Sequence, residues 1–241
     1  MIPAVQRRLY RHARHAYQAV ANRQYATQRR ELARLLGTFV RRGDLVFDIG
    51  ANRGEYTEVL LVLGARVVSV EPNPTLARTL SSRYPAIVEQ VAVGSEPGVL
   101  PLHLGKDLQH STLSTEWLRR APGADRWAPE TVDVEVVTFS ELVQRHGRPE
   151  FVKIDVEGYE LEVLRGCDEL PRALSFEYQC SDFGVAQNCL SLLHGYEFNA
   201  LASGETAFRD EWCDDAEMLT RLESRCGVAP SAYGDVYARA T

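Results

Sequence analysis

The sequence predicts an α/β fold: a doubly wound, mostly parallel sheet with helices on both faces, preceded by N-terminal helices. Three observations predict it. An apolar run, Leu45 to Ile49, stops at Gly50 and a helical pattern begins near Glu55, so a buried strand feeds a turn that opens a helix. Short apolar runs and helical stretches then alternate to the end of the chain. With 241 residues, 45% of them apolar, the chain can bury a full core.

Taken in order, residues 1–42 read as a basic helical segment and 43–241 as the main domain. In the segment Ile2, Val5, Leu9, Ala13, Ala16 and Val20 recur at helical spacing. Leu32, Leu35, Leu36 and Phe39 continue as a second helix expected to pack on the sheet. Ten arginines stand here against one acid, Glu31, a local charge of +9 that leaves −15 on the remainder. Such a segment suits an anionic membrane surface or a partner. The plainer alternative is a solvated face folded over the domain or joining two copies as a homodimer. The net charge of −6 argues against a general nucleic-acid binder, so no nucleic-acid partner is expected.

Glu55–Leu63 reads as a helix, Arg66–Val70 as the second strand, and Pro74–Arg83 as a helix with proline in its first turn. The third strand, Ile87–Val91, ends at Ala92-Val93-Gly94, where a loop would pass beside an adenine. Residues 99–137 break the rhythm with two strand-like runs, Val99–Leu104 and Thr131–Val136. Between them lies a polar loop with His110-Ser111-Thr112 and Trp117. An insertion of this kind often supplies a substrate wall, and Trp117 and Trp127 would stack on a sugar face or pack as a lid. A helix over Phe139–Arg145 and a strand over Phe151–Asp155 follow. A helix then runs through Leu164 and stops at Gly166. Ala173–Tyr178, Tyr196–Leu201 and a short Val236–Ala238 read as strands, Val185–Leu193 and Asp214–Arg225 as helices.

Five cysteines (Cys167, Cys180, Cys189, Cys213 and Cys226) are an odd number with no C-x-x-C pair, and read as reduced thiols. No stretch approaches the roughly 18 apolar residues of a membrane span, and the N-terminus lacks the apolar core of a signal peptide. The expected location is cytoplasmic, with membrane association through the N-terminal segment as the variant.

The loop after the first strand decides the cofactor. A dinucleotide cradle would read G-x-G-x-x-G, whereas here Asp48, Gly50, Asn52 and Gly54 alternate. Asn52 replaces the middle glycine, and the Asp48 carboxylate repels a pyrophosphate. It suits S-adenosylmethionine (SAM), which carries an ammonium and a sulfonium and no phosphate. Glu71 closes the second strand 23 residues after Asp48, where an acid accepts both hydroxyls of a ribose. Each glycine alone is an ordinary turn residue; the ordered set with Glu71 carries the reading.

The second anchor is Asp155. In an open α/β sheet ligands bind outside the carboxyl ends of the strands at the switch point, so Asp48 and Asp155 open onto one crevice. Glu157 follows, and Glu177 closes the next strand. Acids gathered at strand ends bind cations, hold hydroxyls or titrate. The alternative for Asp155 and Glu157 is capping of the helix that begins near Gly158.

Three stretches carry a resemblance: Val46 to Thr57, the Glu71-Pro72-Asn73 step, and Lys153-Ile154-Asp155-Val156-Glu157-Gly158-Tyr159-Glu160 on to Gly166. They resemble the FkbM-type SAM-dependent O-methyltransferases from about Leu45 to Tyr178, leaving out the basic N-terminus and the C-terminal third. The resemblance implies a class I methyltransferase fold, Rossmann-like, with a seven-stranded sheet whose last strand is antiparallel. It implies methylation of hydroxyls on saccharides, glycolipids or related natural products. Asp48, Gly50, Asn52, Tyr56, Thr57 and Glu71 would hold SAM, with Ala51, Gly54, Pro72 and Val93 beside them. Asp155 and Glu157 would face the transfer site, with Asp155 also against the cofactor.

An alcohol needs a base during attack. Candidates are Asp155, Glu157, His110 and, further off, Glu177; Asp155 with Glu177 would alternatively hold Mg²⁺. Competing readings are an RNA or other nucleic-acid methyltransferase, a dinucleotide-dependent oxidoreductase and a non-catalytic scaffold. A DNA amine methyltransferase would show Asn/Asp-Pro-Pro-aromatic where Asp155-Val156-Glu157-Gly158 stands.

Overall fold

The computed structural model describes residues 25–106, 110–120 and 127–241, with side chains from 120 to 130 left out. The helical face expected over 2–20, and the membrane and dimer contacts expected of it, lie outside the described residues. Helix α1 covers residues 25–36. The strands of the main sheet are β1 (Leu45–Ile49), β2 (Arg66–Val70), β3 (Ile87–Glu89), β8 (Phe151–Ile154), β9 (Ala173–Gln179), β10 (Tyr196–Ala202) and β11 (Tyr233–Ala240). Their order is β10-β11-β9-β8-β1-β2-β3. Only β11 runs against its neighbours, pairing antiparallel with β9 and β10. This is the Rossmann-like class I arrangement expected, and β1, between β2 and β8, marks the switch point.

Helices α2 (Glu55–Val62), α3 (Pro74–Arg83), α5 (Phe139–His146), α6 (Glu160–Arg165), α7 (Phe183–Leu192) and α8 (Asp215–Val228) cover the sheet. Their starts are written locally. Asn73 caps α3 through Thr75 N–H with Pro74 at the first position. Thr138 and Glu141 form a capping box on α5. Every residue of β1 is buried, which is why it reads as a continuous apolar run. Phe47 and Ile49 join the core on one face, and Val46 joins the other with Leu35, Leu36 and Val40 from the N-terminal side. Burying Phe47 alone stabilises the fold by about 2–3 kcal/mol. α1 is thus part of the second core, as expected of Leu32 to Phe39.

Three expectations are corrected. The strand read as Ile87–Val91 stops at Glu89, and the chain steps to β4 (Ala92–Gly94), which pairs with β7 (Trp127–Thr138) of a second sheet. That sheet, in the order β4-β7-β5-β6, adds β5 (Gly98–Gly105) and β6 (Ser111–Thr112), with the short helix α4 (Thr115–Arg120) following. The last strand is eight residues long, where a short Val236–Ala238 was expected, because it is paired along both sides. The five cysteines are not all thiols: Cys180, after β9, is bonded to Cys226 in α8 with Cα atoms 5.1 Å apart. An odd count requires only that one cysteine be left over, and a bond across 46 residues leaves no local spacing to read. Cys167, Cys189 and Cys213 are free thiols.

Candidate active site

The β1 turn is built by close backbone approach. Gly50 N and Ala51 N both donate to Val70 O (2.9 and 3.0 Å), and Asp155 N donates to Ile49 O (3.0 Å). The ends of β1, β2 and β8 are therefore locked together. Gly50 has φ +78°, and a Cβ there would meet Asp155 O at 1.8 Å. Its glycine is demanded by the neighbouring strand end. Gly54 (φ +86°) packs under the Tyr84 ring and Leu80, so it serves helix packing and lines none of the cavities described here.

Asp48 is 1% exposed; Thr57 Oγ1 donates to its Oδ2 at 2.6 Å and also contacts Ser69 Oγ at 2.8 Å. Its Oδ1 is buried with no hydrogen-bond partner. Thr57 thus sits beneath the cradle, orienting Asp48. Glu71 accepts from Asn52 N and Asn73 N, both at 2.8 Å, so its carboxylate is pinned at the turn's edge. Asn52 is in the left-handed region at φ +52°, as is Glu157 at φ +56°, an uncommon conformation for either residue.

Three cavities meet at Asp155. The first is lined by Gly50, Asn52, Glu71, Pro72 and Val93, with Ser111 and Glu157. The second, about 350 Å³, is bounded by Asp48, Ala51, Tyr56 and Lys153 on the other side of Gly50. The third is a cleft of about 410 Å³ between α1, the loop after β10 and the start of β11. The structure brings the sequence-predicted residues together with two exceptions besides Gly54. Thr57 stays underneath, and His110 is half-buried beside Ser111 without lining the first cavity. The insertion supplies Leu102, Ser111 and Leu113 to the first cavity, whereas α1 and the C-terminal third wall the cleft. Trp117 donates to Gln179 Oε1 (2.9 Å) and lies against Gly158, so it acts as packing. The Trp127 side chain lies outside the described ones. Among the described residues no group of three or more His, Cys, Asp and Glu has a metal-binding arrangement, and the Asp155–Glu177 option for Mg²⁺ finds no support.

Lys153 was missed as a site residue. It is 2% exposed at the centre of the sheet, opposite Asp48 in register, with Nζ 2.5 Å from Asp155 Oδ2 and 4.7 Å from the Tyr56 ring centre. Burial alone would lower its pKa, but Asp155, Asp48 and Asp235 outweigh that and hold it above the ordinary lysine value. A lysine inside a four-residue buried strand was the available signal, since a buried charge requires a partner.

The acids around it resist ionisation. Burial pushes Glu71 up to about 7, Glu160 up to about 7 and Asp235 up to about 6. Glu157 and Glu177, both held by Gln179 Nε2 (3.3 and 2.8 Å), are raised by burial and then by the charge of Asp155. The folded state therefore keeps protons that the unfolded chain releases above about pH 4. Their contribution to stability is full below that point and is lost as pH rises through about 6 to 8. The ligand-free melting temperature is expected to fall by roughly 5 °C between about pH 5 and 7.5, and less in Glu160→Gln. A melting temperature that stays flat or rises across that window would refute this picture of the site.

The chain is similar to known methyltransferases. A family model described as the methyltransferase FkbM domain matches residues 48–198. The hexuronic acid methyltransferase AglP of Haloferax volcanii is 29% identical over 151 residues, 61% of this chain and 59% of that protein. The chain therefore spans about three-fifths of that relative's length. The 31-O-demethyl-FK506 methyltransferase FkbM of Streptomyces tacrolimicus is 27% identical over 205 residues, 71% of this chain and 79% of that protein. Among solved structures, the precorrin-6y C5,15-methyltransferase of Geobacter metallireducens aligns with a TM-score of 0.41 at 12% identity, covering 90% of this chain and 87% of that one.

Proposed function

The chain belongs to the methyltransferase FkbM domain family, and from that membership we propose that it is a SAM-dependent O-methyltransferase acting on a hydroxyl of a saccharide, glycolipid or related natural product. The observation that carries the cofactor is the buried Oδ1 of Asp48 beside the β1 turn, which has no hydrogen-bond partner. A buried carboxylate oxygen without a donor is costly until a cation or hydrogen-bond donor meets it. With Glu71 and Asp155 it makes a cradle that suits a cation and disfavours a pyrophosphate, which argues against the oxidoreductase reading. Glu71 would take the ribose hydroxyls, Val93 and Pro72 would flank the base, and Asp48 would face the amino-acid end.

Bound there, SAM supplies an electrophilic methyl group. The chain's own part is to place and deprotonate the acceptor. Asp155 lines all three cavities, which supports a place for it between a cleft-bound hydroxyl and the donor. Lys153 fixes one of its oxygens at 2.5 Å, leaving the other to receive the hydroxyl proton as general base. Glu157, its proton held by burial, keeps the neighbouring wall neutral. The two relatives, one a methyltransferase of a hexuronic acid and one of an O-demethylated compound, support oxygen as the acceptor atom.

Methyl-labelled SAM offered to the full chain with a panel of sugars and glycolipids tests this. The expected product is an alkali-stable methyl ether. Alkali-labile label, a methyl ester, would overturn the hydroxyl assignment.

A further inference from the structure

The second sheet brings one polar side chain to the first cavity, Ser111 of β6. Its Oγ is buried and has no hydrogen-bond partner among the described residues. A hydroxyl left in that state is costly, and a native chain keeps one where a ligand or a water meets it. The surroundings favour a ligand of a particular kind. Val93 of β4 and Leu102 of β5, both buried, line the same cavity, as do Leu113 and, from α3, Leu76. Aliphatic walls with a single small hydroxyl suit a flat, uncharged heteroaromatic ring, whose faces are apolar and whose edge carries donors and acceptors.

Ser111 is also held in place. It pairs with Leu104 of β5. Ser111 and Leu113 line the cavity, and Thr112 between them does not, as alternation along an extended chain requires. Thr112 Oγ1 instead donates to Glu157 O (2.7 Å) and accepts from Ser114 N (2.9 Å). Ser114 Oγ accepts from Trp117 N (3.0 Å), and the Trp117 indole is anchored to Gln179. The hydroxyl is thus presented by a segment fastened at both ends, so little order is lost when a ligand meets it.

We propose that Ser111 is a specificity-determining residue for the cofactor: its hydroxyl bonds the polar edge of the adenine base, accepting from the amino group or donating to a ring nitrogen. The inference rests on the SAM reading above and deepens it. The second sheet then recognises the base, while the ends of the main sheet hold the ribose and the amino-acid end.

The test compares the full chain with its Ser111→Ala variant. Competition calorimetry reads the binding of S-adenosylhomocysteine (SAH) and of its benzimidazole analogue, which keeps the bicyclic outline but lacks the amino group and the nitrogens of the six-membered ring. The unaltered chain is expected to bind SAH more than about tenfold more tightly than the analogue. Ser111→Ala should bind SAH about fivefold more weakly, and the analogue within about twofold of the unaltered chain. Melting of the ligand-free proteins is the second readout. Removing an orphaned buried hydroxyl should leave Tm unchanged or raised, whereas loss of a merely structural side chain lowers it. Unchanged SAH affinity in Ser111→Ala, equal losses for the two probes, or a ligand-free Tm lowered by more than about 3 °C would overturn the assignment. Failure of the unaltered chain to bind SAH would instead sink the SAM reading beneath it.

Discussion

Asp155→Asn is expected to lower kcat by about 10²–10⁴-fold on any hydroxyl acceptor, while SAH affinity stays close to that of the unaltered protein. The substitution keeps the side chain's shape and an oxygen for Lys153 Nζ, 2.5 Å away in the structure. What it removes is the charge, and the oxygen proposed to take the proton, at the residue that, among those described, lines all three cavities. SAH lacks the sulfonium charge, so its binding reports on the cradle without the electrostatic loss that SAM would show. Steady-state kinetics and calorimetry on the same preparation separate the two effects. Near-normal turnover in Asp155→Asn would remove Asp155 from the chemistry.

Gly50→Ala is expected to be the most damaging small substitution in the main domain. The added Cβ would stand 1.8 Å from Asp155 O, and φ +78° is closed to alanine at a cost of about 1–2 kcal/mol on its own. Relieving the clash means parting the ends of β1 and β8, and with them Asp48 from Lys153, which pair in register. Together these should destabilise the protein by more than about 3 kcal/mol and abolish cofactor binding. Gly184→Ala is the matched control. Nothing lies within 4 Å of its added Cβ, and it sits in α7, where alanine is the better helix former by up to about 1 kcal/mol. Melting curves of the two variants should therefore diverge. A Gly50→Ala protein that melts normally and binds SAH would show that the strand ends are not locked as described.

The residues legible in advance were those whose signal is short-range. Leu45 to Gly54 carries strand, turn and helix start within ten residues, and Glu71 and Asp155 each close an apolar run, so the sheet and the residues gathered at its strand ends could be read. The wall of the third cleft could not. Tyr25 and Arg29 reach the cleft from α1, Glu205 from a loop and Asp235 from a strand inserted between β9 and β10, and no local pattern links them. Lys153 was visible only as a polar interruption, because its meaning depends on Asp48 across the strand pair and Asp235 two strands away. The break of the third strand after Glu89 was hidden for a related reason: the partner that draws Ala92–Gly94 aside is β7, far along the chain.

Isothermal titration of the full chain with SAM, SAH and NAD distinguishes a SAM site at the turn after β1 from a dinucleotide site. Micromolar binding of SAM and SAH, unchanged by EDTA, absent for NAD and lost in Glu71→Ala, is the result predicted. Failure of both SAM and SAH to bind, or binding of NAD in their place, would contradict it.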